Sequence, residues 1–150
     1  MYTEALTVSE LEMDDKNYQG AQQYARAKRA QVVLNEMWAE RIPANSIVFH
    51  SLHPGWVKTP GITDALPGFS KILSSLGLLR TPHEGADTLV WLSADEKAKN
   101  CSGKFWHDRA IRAIDMSNKT RQADTRERRA RLWQWCENKT QWSLDSSDVN

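Results

Sequence analysis

The sequence predicts an α/β fold, and the order of its patterns supports that prediction. A long helical pattern comes first, two short β-rich runs follow with helical segments between them, and another helical pattern comes near the end. Strand–helix–strand alternation implies a right-handed crossover and parallel pairing. Two short parallel strands do not form a stable sheet alone, so the chain is expected to be the second half of a larger doubly wound fold.

Composition and charge limit the partners that we expect for this chain. Hydrophobic residues make up 40% and charged residues 26%, which is ordinary for a soluble globular chain. The formal net charge of +1 gives no general attraction to nucleic acid or to acidic membranes. The two cysteines fit a reducing compartment, and no apolar run approaches the ~18 residues of a membrane span. We therefore expect an intracellular, cytoplasmic protein with no membrane span and no nucleic-acid partner.

The first regular element is predicted to be a long helix. Residues 1–16 are acidic and irregular, which indicates a connecting loop with one short helical turn at residues 8–13. From about Asn17 to Arg41, apolar residues recur at helical spacing along two neighbouring stripes, and Pro43 ends the pattern. A helix that is apolar on two sides should pack against more than one neighbour.

Two strands and a helix-bearing loop are predicted in the middle of the chain. A buried strand is expected at residues 46–52, where Pro54 and Gly55 close a β-rich run. Residues 60–80 combine glycines, prolines and an apolar stretch, which predicts a mobile loop with one amphipathic helix. A second strand is expected at residues 103–106, after a polar turn.

A helix should begin at Thr81 and run to about Ala94. Thr81 can cap it, Pro82 suits the first helical position, and Glu84 completes a capping box. The helix is expected to bury four apolar residues, namely Ala86, Leu89, Val90 and Trp91.

The last helix should begin at Asp124 and run to about Asn138, with Glu127 in its first turn. It is expected to bury Ala130, either Leu132 or Trp133, and Cys136. Residues 143–150 are polar and predict a flexible tail. The domain is therefore expected to cover residues 1–142.

Tyr24 and Lys28 carry the strongest chemical signal. Residues four apart on a helix share a face, with Cβ atoms ~5–6 Å apart. A free tyrosine titrates near ~10, and a neighbouring ammonium favours the phenolate. Such a phenol can protonate a carbonyl oxygen as hydride arrives at carbon, or deprotonate an alcohol as hydride leaves. Because the spacing occurs by chance in about one chain in four of this length, a solvated surface pair is the alternative.

The context of this pair resembles a known family. Tyr-x-x-x-Lys lies on a long predicted helix, and the next strand ends in His-Pro-Gly-x-Val-x-Thr at residues 53–59. This arrangement resembles the catalytic half of the short-chain dehydrogenase/reductases. The similarity continues through residues 80–88 and 102–108 and ends near residue 137. The combination is specific, although each piece alone is not.

The resemblance implies roles for particular residues. Tyr24 would be the general acid/base, and Lys28 would hold the nicotinamide ribose and tune the phenol. The cofactor would be NAD or NADP, with NADP favoured, and five residues would contact it: Lys28, Pro54, Gly55, Val57 and Thr59. Residues 61–79 would form the substrate loop, whose apolar residues suggest a small hydrophobic carbonyl or alcohol.

Other features of the family do not occur in the sequence. It contains no G-x-x-x-G-x-G turn, and the family's catalytic serine would lie before Met1. We therefore expect an NAD(P)-dependent oxidoreductase present as a fragment, a truncated gene model or a short isoform, inactive alone. The alternative is a non-catalytic isoform that acts as a dimerisation or interaction module through the Tyr24–Lys28 helix.

Two further patterns favour simpler interpretations. His50 and His53 are three residues apart on a strand, which points the rings to opposite faces, so no metal site is expected. Residues 109–131 are rich in arginine and could contact phosphate. A solvent face laced with ion pairs is the favoured interpretation, since no stacking aromatics accompany the basic residues.

Overall fold

The computed structural model describes residues 1–9, 11–61 and 67–144. Within these ranges the chain forms helices on both faces of a small sheet. The helices are α1 (Gly20–Arg41), α2 (Pro67–Ser75), α3 (Pro82–Ala94), α4 (Glu96–Lys99), α5 (Asn118–Gln122) and α6 (Arg126–Thr140). The strands are β1 (His50–Leu52), β2 (Lys104–His107) and β3 (Ala110–Ile111).

The sheet has the order β1-β2-β3, with β1 parallel to β2 and β2 antiparallel to β3. The parallel pair confirms the predicted α/β fold, whereas β3 was not predicted. A two-residue turn at Asp108 and Arg109 connects β2 to β3, and both residues have positive φ angles of 54° and 55°. Asn-Gly and Asp-Gly are the usual signals for such a turn, so Asp-Arg gave no warning of it.

Successive residues of β2 point to opposite faces of the sheet and so fix its two helical layers. Phe105 packs in a cluster with Val32 of α1. The next residue, Trp106, contacts Trp91 of α3 at a ring-centroid distance of 5.3 Å. Strands covered by helices on both faces are typical of parallel α/β sheets, and this layering is that of a partial Rossmann-like fold.

The main apolar core lies on the side of α1 that faces away from the sheet. It joins the irregular amino-terminal segment, α1 and α6 through Leu6, Leu11, Ala30, Val33, Met37 and Leu132. Helix α1 therefore packs against the sheet through one stripe and against α6 through the other, as its two apolar stripes predicted. The amino-terminal segment is irregular as expected, and the Leu11 N–H donates to the Val8 carbonyl at 3.2 Å within the predicted residues 8–13.

Several predicted boundaries needed correction. Strand β1 contains only the three residues that pair with β2, so it is shorter than the predicted residues 46–52. All three are half-buried, although a buried strand was predicted. Helix α6 begins after Thr125, whose hydroxyl accepts the Arg128 N–H, because the predicted cap Asp124 binds Arg129 instead. The short helices α4 and α5 were not predicted. Residues 145–150 of the expected tail lie outside the described residues.

The capping box of α3 is present as predicted, but the buried face of this helix was predicted wrongly. Leu89 and Val90 are 55% and 64% exposed, whereas Gly85 and Thr88 are buried. The reason is that α3 approaches the protein through its glycine, where a Cβ would clash with the Val57 side chain. Ala86 and Trp91 are half-buried.

The burial predicted for α6 was correct for Leu132, which is fully buried. Trp133 and Cys136 are half-buried, and Ala130 is exposed, which corrects that part of the prediction. Across the described parts of the chain, no helix combines the length and the hydropathy that a membrane span needs.

Candidate active site

Helix α1 runs antiparallel to β2, and this direction determines where Tyr24 lies. Near the end of α1, the Ala39 methyl group lies 3.0 Å from where a Cβ on Gly103 would sit, just before β2. Further back along α1, Val32 packs against Phe105 within β2. Tyr24 lies eight residues before Val32, or about 12 Å along the helix axis. The amino-terminal turns of α1 therefore extend toward the carboxyl end of the strands, where open α/β sheets bind their ligands.

The helix brings the side chains of Tyr24 and Lys28 together. Lys28 Nζ lies 5.6 Å from the centroid of the Tyr24 ring and donates a hydrogen bond to Gln31 Oε1 at 3.0 Å. The tyrosine side chain is 66% exposed, and Lys28 is half-buried. The spacing of the two residues thus gives a shared face, while their catalytic roles stay predictions.

The loop that leaves β1 begins with a turn that requires glycine. Gly55 has φ +81°, and its N–H donates to Nδ1 of His53 at 2.9 Å. A Cβ at this position would lie 2.6 Å from Nε of Arg80, so a side chain here would strain the backbone and displace the arginine. The space beside its Cα, at the carboxyl end of β1, is therefore filled by the Arg80 side chain.

Backbone hydrogen bonds join the same loop to the segment before α3. The Arg80 N–H donates to the Trp56 carbonyl at 2.7 Å, and the Lys58 N–H donates to the Arg80 carbonyl at 2.9 Å. These bonds flank Val57, which forms a parallel bridge with Arg80 and is only 9% exposed. The Val57 side chain points into the protein, so only its backbone could face a cofactor. Pro54 and Thr59 are exposed on the loop.

The Arg80 guanidinium adds a second connection. It binds Asp108 through two bonds of 2.6 and 2.9 Å and donates to the Pro54 carbonyl at 3.2 Å. The hydrogen bond from Arg80 lowers the pKa of the Asp108 carboxyl below its ordinary value. Sequence reasoning gave these two residues no role, because nothing local marks a pair that lies 28 positions apart.

Aromatic rings surround His53, the residue between β1 and Pro54. Its ring centroid lies 5.3 Å from that of His107, 6.1 Å from that of Trp56 and 6.2 Å from that of Tyr2. Burial, aided by the His107 and Arg80 charges, lowers the pKa of His53 below its ordinary value. Since Nδ1 accepts the Gly55 N–H, the neutral imidazole carries its proton on Nε2.

His50, the other residue of the histidine pair, uses both ring nitrogens inside the protein. Its Nδ1 accepts from Trp106 Nε1 at 3.0 Å, and its Nε2 lies 2.9 Å from the Ala98 carbonyl. Within residues 1–9, 11–61 and 67–144, no three His, Cys, Asp or Glu side chains cluster as metal ligands would. A cavity of about 510 Å³ lies elsewhere, along α3, between Trp91 and the Asp87–Arg109 ion pair.

Comparison with known proteins decides the family. No family model matches the sequence. Human dehydrogenase/reductase SDR family member 12 is 41% identical over 110 residues, which are 73% of this chain and 33% of that protein. The chain belongs to the short-chain dehydrogenase/reductase family. The Bos taurus dehydrogenase/reductase SDR family member 12 is 40% identical over 73% of this chain and 33% of its own length. Human retinol dehydrogenase 14 is 29% identical over 63% of this chain and 29% of its own length. The chain thus spans about a third of the curated relatives that it matches.

Proposed function

We propose that this chain forms the nicotinamide side of an NAD(P)-dependent oxidoreductase that interconverts a carbonyl and an alcohol. The observation that carries the proposal is the shared face of Tyr24 and Lys28 on helix α1, which extends toward the carboxyl end of β1. Membership of the short-chain dehydrogenase/reductase family supports this reaction class, and one relative is named a retinol dehydrogenase.

In this proposal the phenol of Tyr24 exchanges the proton of the reaction. Its hydroxyl donates to the carbonyl oxygen during reduction and accepts the alcohol proton during oxidation. The Lys28 ammonium stabilises the phenolate by its positive charge and hydrogen-bonds the ribose hydroxyls. Both side chains are long enough to reach a ligand beside α1, and neither is fully buried.

The loop from Pro54 to Thr59 would receive the nicotinamide ring, which supplies the hydride when the cofactor is bound. Its features fit a flat ligand, because Gly55 adds no side chain of its own and Thr59 is an exposed residue that carries a hydroxyl group. Val57 would contribute its backbone alone. We favour NADP over NAD, and cofactor titrations test this preference.

The substrate would be small and hydrophobic. Helix α2 lies in the expected substrate loop and exposes Ile72 at 59%, and Leu76 directly after the helix is 64% exposed. The next segment exposes Leu78 at 57%. In this proposal these apolar side chains would face the substrate, which favours a carbonyl or alcohol on a hydrophobic molecule over a charged substrate.

Replacement of the phenol hydroxyl tests the catalytic role. In the protein that contains this chain and turns over substrate, Tyr24→Phe should lower kcat by about 10²-fold or more, because general acid/base catalysis is lost. Cofactor affinity should change little. The matched control is Tyr18→Phe, since Tyr18 is 62% exposed just before the same helix and should leave the rate intact. An unchanged rate in Tyr24→Phe would contradict the assignment.

A second candidate is a non-catalytic interaction module that pairs through α1. The exposed phenols of Tyr24 on this helix and of Tyr18 just before it favour this candidate, because exposed aromatic groups are common in protein interfaces. Sedimentation of the chain together with NADPH titration separates the two candidates. A dimer with no cofactor affinity supports the module, whereas micromolar NADPH binding supports the oxidoreductase.

A further inference from the structure

We propose that Arg80 is the positioning residue of the loop from Pro54 to Thr59, which it holds against the β2–β3 turn through Asp108. The inference rests on the proposed function, since this is the loop that would receive the nicotinamide. The groups that set the geometry of the loop would then lie outside it, on Arg80 and on Asp108 at the end of β2.

Arg80 holds the loop first through its backbone. Arg80 forms both backbone bonds of the bridge: its N–H donates to the Trp56 carbonyl, and its carbonyl accepts the Lys58 N–H. These two bonds fix the residues on either side of Val57, whose side chain rests on Gly85 of α3. The middle of the loop is therefore held from the α3 side.

The side chain of Arg80 holds the start of the loop. Its guanidinium donates to the Pro54 carbonyl, and its Cδ, Nε and Cζ lie 2.6–2.8 Å from where a Cβ on Gly55 would sit. The arginine thus occupies the space that glycine leaves open. Because the group contacts the backbone of two consecutive residues, its position determines the direction in which the chain leaves β1.

Asp108 holds the guanidinium in place. The carboxylate accepts two parallel bonds at 2.6 and 2.9 Å, a geometry that fixes the plane of the arginine. Asp108 itself belongs to the tight turn between β2 and β3, where it has φ 54°. The loop after β1 and the turn after β2 are therefore connected across the carboxyl end of the sheet.

A neighbouring ion pair provides a matched control. Arg109 binds Asp87 of α3 through two bonds, and both side chains are about half exposed. This pair uses the same residue types and the same turn, but it connects the turn to α3 and not to the loop. Its loss should therefore leave the loop unaffected, whereas a nonspecific effect of losing an exposed ion pair should appear in both.

The first experiment measures hydrogen exchange of backbone amides in the chain, in Asp108→Asn and in Asp87→Asn. Asparagine tolerates the left-handed conformation at position 108, so the substitution removes charge without straining the turn. We expect exchange at Gly55 and Lys58 to accelerate about tenfold in Asp108→Asn, with exchange in α1 unchanged. Unchanged loop exchange in Asp108→Asn, or equal acceleration in Asp87→Asn, overturns the proposal.

The second experiment separates this proposal from the proposed function. Titration of the wild-type chain with NADPH and NADH tests the function, and Asp108→Asn should then weaken the affinity severalfold while Asp87→Asn does not. In a longer protein that contains this chain and turns over substrate, Asp108→Asn should raise the KM for the cofactor and leave kcat within about twofold. Equal affinity in Asp108→Asn overturns the positioning role. A loosened loop in a chain that binds neither cofactor overturns the function and leaves the role of Arg80 in place.

Discussion

Two arginines connect segments that are distant in sequence, and they differ in their exposure to water. The Arg29 side chain is fully buried and pairs with Asp115 at 2.8 Å and Asp124 at 3.4 Å. The Arg80 side chain is 31% exposed, and its partner Asp108 is 47% exposed. Water screens the second pair and not the first, so loss of Arg29 should affect the whole fold and loss of Arg80 mainly one loop.

The two arginines also hold different parts of the candidate active site. Arg29 follows Lys28 on α1 and donates to the Ile114 carbonyl at 3.3 Å, which holds the helix to the segment after β3. Arg80 holds the loop after β1. The helix with the proposed catalytic pair is thus held by a buried connection, and the proposed cofactor loop by an exposed one.

The largest effect should follow the loss of Arg29. In Arg29→Met, Asp115 and Asp124, whose side chains are 17% and 10% exposed, lose a positive partner. Removal of one member of a buried ion group costs ~3–5 kcal/mol in the free energy of unfolding. Urea denaturation measures this loss, with Arg126→Met on the exposed start of α6 as the control. A loss below ~1 kcal/mol in Arg29→Met would contradict the expectation that the buried Arg29 stabilises the whole fold.

An intermediate effect should follow a substitution under the loop. Gly85→Ala adds a Cβ where Val57 packs, and such overpacking costs ~1–3 kcal/mol in the free energy of unfolding. The double variant Gly85→Ala/Val57→Ala removes the clash and should recover part of the loss. Urea denaturation of the wild type, of Gly85→Ala, of Val57→Ala and of the double variant measures both steps. If the two single losses simply add in the double variant, the loop is not supported by this contact.

The smallest effect should appear on acidification. Hydrogen bonding from Arg80 lowers the folded-state pKa of Asp108, so its stabilisation is complete above ~3.9 and is lost as the pH falls through the folded-state value. Burial lowers the pKa of His53, so its protonation opposes the fold as the pH falls below ~6.5. The chemical shift of the Gly55 amide should therefore change in two separate steps. Asp108→Asn should remove the acid step and keep the other, and an acid step that persists would exclude Asp108 as its source.

Local patterns predicted the elements that local physics controls. Helix α3 follows from its capping box, in which Thr81 and Glu84 each bond the other's backbone. The exposure of Leu89 and Val90 could not be predicted from the sequence, because apolar character does not show which face of a helix meets a neighbour. The turn at Asp108 was missed because Asp-Arg is an uncommon pair at positive φ.

The sequence by itself determined the α/β order, the length of α1 and the spacing that brings Tyr24 and Lys28 onto one face, since each depends on residues a few positions apart. Only the tertiary structure decided the roles of Arg29 and Arg80. Arg29 meets Asp124 across 95 positions and Arg80 meets Asp108 across 28. A charge gives no local sign of its distant partner, and whether water screens the pair depends on how the completed fold covers it.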